Sequence, residues 1–76
     1  MELQDFINNI AALFEETEVS LLNASTEFKT LDEWSSLTAL SIIAMVDDEY
    51  GIKVKGEDIR SSETLEDLFT VIKAKK

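Results

Sequence analysis

Between Leu3 and Phe14 the apolar side chains fall at Leu3, Phe6, Ile7, Ile10, Leu13 and Phe14. Spacings of three and four residues gather them on one side of an α-helix, with Asp5, Asn8, Asn9 and Glu15 on the other. The pattern predicts a first helix over roughly Glu2 to Glu16. It then dissolves. From Thr17 to Ser35 the apolar residues Val19, Leu21, Leu22, Phe28, Leu31 and Trp34 sit irregularly among Ser, Thr and Asn, with neither Gly nor Pro. Loose linkers seldom carry so many apolar side chains, so this stretch is expected to be an ordered loop pinned by them.

A helical pattern returns at about Ser36 and runs to Tyr50, where Gly51 supplies a residue suited to the left-handed turn that ends a helix. Ile52 to Val54 reads as a short extended piece. Gly56 to Arg60 is long enough for a brief third helix, with Glu57 and Asp58 favourable in its first turn. Thr64 is a good N-cap for the last helix, with Asp67 three residues on in a weak capping-box arrangement. Leu65, Leu68, Phe69 and Ile72 form the apolar stripe of that helix. There is no internal repeat and no low-complexity tract. The expected fold is all-α: three main helices plus a short helix 3 around one core, with the long ordered loop between helices 1 and 2.

Helix 2 departs from a simple stripe. Leu37, Leu40, Ile42, Ile43, Ala44, Met45 and Val46 spread apolar character over more than one face. A surface helix needs only one. Most of these residues are expected to be buried, with helix 2 the most buried helix, touching both other long helices. The functional alternative leaves Leu37, together with Ala44 or Met45, exposed as a docking strip, or opens the core to an apolar chain.

Composition removes several classes of chemistry. With 76 residues there is room for one domain, residues 1–76, and one small core. The chain has no Cys and no His, so disulfides, thiolate metal sites, the commonest general base and the commonest zinc ligand are all missing. No apolar run approaches the roughly 20 residues that span a bilayer. Met1 to Asp5 lack the basic-then-apolar pattern of a secretory signal, so a cytoplasmic setting without membrane insertion is expected. Sixteen acidic against seven basic residues give a net charge of −9. Such a chain repels nucleic acid and offers an acidic surface to basic partners. Lys73, Lys75 and Lys76 suit the negative end of the last helix rather than a binding patch.

Catalytic and metal motifs fare poorly. Asp47 to Asp58 superficially looks like a calcium loop, but it offers Gly51 at the fifth position and Ile52 at the sixth, where an oxygen ligand and then glycine belong. With Gly51 and Gly56 as its only glycines, the chain has no Gly-rich phosphate loop. Paired carboxylates on an exposed acidic surface have no dry pocket to drive their pKa values apart. No catalysis and no bound metal are expected.

One position stands out, Ser36, a hydroxyl at the start of helix 2 and preceded by Trp34 and Ser35. Either serine could be a plain N-cap, because Ser, Thr, Asp and Asn open helices routinely. A helix N-terminus also suits an anionic phosphodiester, whose charge meets free N–H groups and the positive dipole end. The stretch SLTALSIIAMVDDEYGIKV, Ser36 to Val54, together with helix 1, the long loop and the Thr64 opening of the last helix, resembles the acyl carrier proteins over nearly the whole chain. That family opens its helix 2 with Asp-Ser-Leu.

The resemblance implies a 4'-phosphopantetheine arm on Ser36 and partner contacts through Leu37, Leu40, Ala44 and Met45. Asp47 and Asp48 match acidic positions that partners read with basic patches. It implies a freestanding monomeric carrier, loaded by a phosphopantetheinyl transferase from coenzyme A. Its cargo would be acyl or aminoacyl thioesters, handed between loading and transferring enzymes. Ser35 stands where the family has Asp, nearly neutral as a cap but a lost charge for the transferase. Thr38 and Ser41 replace acids, leaving the first half of helix 2 uncharged and its electrostatic docking weaker. With Trp34, these departures resemble carriers outside housekeeping fatty acid biosynthesis, in specialised lipid or polyketide-type secondary pathways. The alternative is an unmodified acidic helical adaptor, with Ser36 merely a cap.

Overall fold

The computed structural model describes residues 2–14 and 17–75. Met1, Glu15, Glu16, Lys76 and the side chain of Val19 lie outside the described residues. The fold is all-α, and no strand occurs among the described residues. Four helices follow in order: α1 (Leu3–Ala11), α2 (Ser36–Tyr50), α3 (Gly56–Arg60) and α4 (Leu65–Lys75). Two 3-10 turns, Val19–Leu21 and Phe28–Thr30, shape the connection between α1 and α2. α1 packs chiefly on α4, and α3 bridges α2 and α4.

α1 ends at Ala11, earlier than the periodicity predicts. The chain tightens there: Leu13 N–H donates to Ile10 O at 3.0 Å and Phe14 N–H to Ala11 O at 3.1 Å, three residues back rather than four. Phe14 still reaches the core, so the apolar spacing marks burial beyond the helix itself. Phe6, Ile10, Phe28, Ile42, Val46, Leu65, Leu68 and Ile72 are fully buried, and Phe6 meets Phe69 at a ring separation of 5.6 Å.

The long connection is ordered, as its apolar content predicts. Leu22 and Phe28 are buried, Leu31 and Trp34 pack against the core, and Trp34 meets Phe28 edge-on at 5.3 Å. Its carbonyls also serve α4. Leu65 N–H donates to Thr26 O at 3.1 Å and Glu66 N–H to Ala24 O at 3.0 Å, satisfying donors a helix start leaves free. Leu21 is a correction: it is 67% exposed and pins nothing.

Both caps of α4's start are present. Thr64 Oγ1 accepts from Asp67 N–H at 3.1 Å, and Asp67 Oδ2 accepts from the Thr64 and Glu63 N–H groups at 3.2 Å each. Those bonds hold the Asp67 carboxyl below the ordinary carboxylate range. Gly51 ends α2 with φ of 67°, the left-handed conformation glycine adopts without strain. Beyond it, Ile52 and Val54 are buried while Lys53 and Lys55 are exposed, the alternation of an extended segment.

Helix α2 is not the most buried element. Of its apolar residues only Ile42 and Val46 are fully buried, and its main helical neighbour is the short α3. Ile43 and Met45 are half-buried against the core. Ala39 and Tyr50 also pack partly against the core, whereas Leu37, Leu40 and Ala44 face solvent.

Candidate functional site

Ser35 and Ser36 divide the helix start between them. Ser35 has extended backbone (φ −157°, ψ 172°), and its Oγ accepts from Thr38 N–H at 3.3 Å while its carbonyl accepts from Ala39 N–H at 3.1 Å. Ser35 is the cap. Thr38 closes the arrangement, with Oγ1 3.2 Å from Ser35 Oγ and donating to Glu33 O at 3.2 Å. Ser36 is therefore the first helical residue. It is exposed, and its hydroxyl has no hydrogen-bond partner among the described residues. The N–H groups of Ser36 and Leu37 likewise find no acceptor there. A nucleophilic oxygen stands in solvent beside unpaired donors at the positive end of a 15-residue helix.

Leu37 is 72% exposed and Leu40 62% exposed. Ala44 is exposed too, so Leu37, Leu40 and Ala44 lie outside the core along α2. Met45 does not belong with them as an exposed docking residue, since it is half-buried against the core. At the far end of the helix Asp47 and Asp48 are exposed. Asp47 already has a cation: Lys53 Nζ lies 2.7 Å from its Oδ2. Asp48 has no ion-pair partner among the described residues. No cluster of acids placed to hold a metal ion occurs among the described residues.

An open groove of about 400 Å³ starts at Ser36 and runs between α2 and α3. Buried Ile59 and half-buried Trp34, Ala39 and Ile43 make its apolar floor, and Leu40 joins exposed Ser36 and Arg60 on its rim. Lys29 reaches the same groove from the loop, where its Nζ donates to Arg60 O at 2.8 Å. No carboxylate among the described residues lines it. The groove is open to solvent, so it is not a dry pocket enclosing paired carboxylates.

The opposite side of α3 is fixed from below. Asp58 Oδ2 accepts from Lys55 N–H at 2.9 Å and lies 3.2 Å from Lys75 Nζ of α4. The Lys55 N–H bond, with Lys75 adding to it, holds the Asp58 carboxyl below the ordinary range. Ser62, the one buried polar residue among those described, donates its hydroxyl to Asp58 O at 2.9 Å.

The family resemblance had marked Ser36, Leu37, Leu40, Ala44, Met45, Asp47 and Asp48 but not Lys29, Ile59 or Arg60. Lys29 lies far along the chain from the adjacent Ile59 and Arg60, so only the fold brings all three to one groove. Trp34 was noticed as an aromatic before the serine, without the groove it floors. No family model matches the chain. Neither a curated protein nor a solved structure matches it. No helix among the described residues is long and apolar enough to cross a membrane.

Proposed function

We propose that this chain is an acyl-carrier-type protein, bearing a 4'-phosphopantetheine arm on Ser36 and carrying acyl or aminoacyl groups as thioesters on that arm. The observation that carries the reading is the state of Ser36: first residue of α2, exposed, with a hydroxyl free of any partner among the described residues while its neighbour caps the helix. A serine kept only for capping would be the one bonded to Thr38 N–H. The helix order supports the same reading, with a long ordered loop delivering Ser36 and a short α3 beside it.

In loading, the Ser36 Oγ bonds to the phosphorus that carries pantetheine in coenzyme A. The diphosphate bond breaks, adenosine 3',5'-bisphosphate leaves, and the hydroxyl proton passes to the transferase. The arm supplies the thiol that this cysteine-free chain lacks. Partners then dock on exposed Leu37, Leu40 and Ala44 and on the acidic end at Asp48, with Asp47 weakened by Lys53. With the first turn of α2 uncharged, recognition there is apolar and modest, which suits fast exchange between enzymes. A specialised pathway, a cytoplasmic setting and a monomeric state complete the proposal.

Exposed Leu21, Leu37 and Leu40 favour a second reading, an unmodified adaptor that only binds partners. Intact mass after co-expression with a broad-specificity phosphopantetheinyl transferase separates the two. The wild type and Ser35→Ala should each gain one phosphopantetheine, and Ser36→Ala none. Unmodified wild type favours the adaptor, and loading that survives Ser36→Ala places the arm elsewhere.

A further inference from the structure

One face of this acidic molecule has the opposite sign. In a chain of net charge −9, basic residues are scarce. Lys53 pairs with Asp47, Lys75 pairs with Asp58 and Lys55 acts on the same Asp58, while Lys73 lies over the Phe69 ring at 5.5 Å. Lys29 and Arg60 have no carboxylate within ion-pair distance among the described residues, and both line the groove between α2 and α3. Both are held in place. One Lys29 N–H donates to Arg60 O at 2.8 Å, which anchors the ammonium to the end of α3 and leaves two donors. Arg60 Nη1 lies 3.4 Å from where a Cβ on Gly56 would stand, so the guanidinium lies back along the same short helix.

The groove is continuous with the exposed strip of α2 through Leu40, which is 62% exposed and also forms the groove's rim. The surface a partner meets therefore has two poles. Exposed Asp48 stands at the far end of α2, and the Lys29–Arg60 pair flanks the groove that begins at Ser36. Residues 36 to 48 of the helix span about 18 Å, at about 1.5 Å each. That exceeds the Debye length of about 10 Å in 0.1 M salt, so a docking protein meets the two signs separately and not their average.

We infer that Lys29 and Arg60 receive a carboxylate of the partner enzyme, and that an apolar side chain next to that carboxylate enters the groove over Trp34 and Ile59. This deepens the carrier reading and rests on it. A partner with a uniformly basic patch is attracted at Asp48 and repelled at Arg60. One that is basic at the first pole and acidic at the second is attracted at both, and its direction along α2 is fixed. A carboxylate offers two oxygens to the forked donors of Arg60, with Lys29 adding a point charge. The pairs are partly exposed, so they select among partners more than they tighten binding, and salt weakens them.

The test titrates isotope-labelled protein, apo and after transferase treatment verified by mass, with a stapled helical peptide carrying a leucine flanked by two glutamates. Its twin has glutamine in place of both glutamates. The glutamate peptide should move the NMR signals of the Trp34 indole, the Arg60 Nε–H and the Ile59 methyls to saturation. In low salt it should bind about threefold to tenfold tighter than its twin. Arg60→Gln/Lys29→Gln should remove that ratio while leaving affinity for the glutamine peptide unchanged, which separates lost charge from lost fold. Equal affinity for the twins, shifts elsewhere on the surface, or a ratio that survives the double variant overturns this inference alone. A chain that never gains the arm overturns the carrier reading by mass, and with it the assignment of the carboxylate to an acyl-handling enzyme.

Discussion

Ser35 and Ser36 are chemically identical and adjacent, yet helix geometry gives them different settings. The residue before the first turn aims its oxygen back at N–H groups of that turn, whereas the first helical residue projects outward. From sequence alone both fitted either duty, because serine is equally good as cap and as tether. The deciding fact is Ser35's extended backbone and its bond to Thr38 N–H, which no spacing rule encodes. Ser35→Ala should therefore cost about 1 kcal/mol and lower Tm by about 4–8 °C without preventing attachment to Ser36. Ser36→Ala should leave Tm within about 2 °C of the wild type, since its hydroxyl bonds to nothing among the described residues. Thermal melts of the two variants, followed by circular dichroism, check both statements. Reversed effects would mean that Ser36 is the structural serine.

At the scale of elements, periodicity predicted what long regular segments do and missed what short contacts decide. α2, α3 and α4 start and stop where Ser35, Gly51, Gly56 and Thr64 suggested, because caps and a left-handed glycine act locally. α1 stops early because its last apolar residues reach the core through tightened turns rather than a continued helix. The faces of α2 were misjudged for a related reason: apolar composition cannot tell burial from an exposed strip, and only the packing of α3 shows which side is covered. That packing depends on Asp58, which joins the start of α3 to Lys75 at the end of α4. The folded-state pKa of Asp58 lies below its ordinary value of 3.8. Its carboxylate therefore stabilises the fold at pH above that value, and the contribution is lost as pH falls through the folded pKa. Asp67 acts with the same sign. The stability advantage of wild type over Asp58→Asn should be full at neutral pH and shrink below about pH 4. Denaturant melts of both proteins across that range would show it, and an advantage that grew with acid would contradict the sign.

For the whole molecule, charge and the position of one groove set the behaviour. Sixteen acids share a surface of 4727 Å² with two ion pairs among the described residues, so self-repulsion opposes the fold. Salt should raise the Tm of the apo protein by a few degrees, on the order of 5 °C between low salt and 0.5 M. A flat or falling Tm would mean the acids are already balanced. Net charge was legible from composition. That two of the few cations stay unpaired at the serine's groove was not, since it needs Lys29 and Arg60 brought together by the loop and α3. All of this converges on the oxygen of Ser36. After treatment with a phosphopantetheinyl transferase and coenzyme A, trypsin releases residues 30–53 as one peptide, bounded by Lys29 and Lys53. Fragmentation of that peptide should place one phosphopantetheine on Ser36. An unmodified peptide, or an arm on Ser35 or Ser41, would contradict the account.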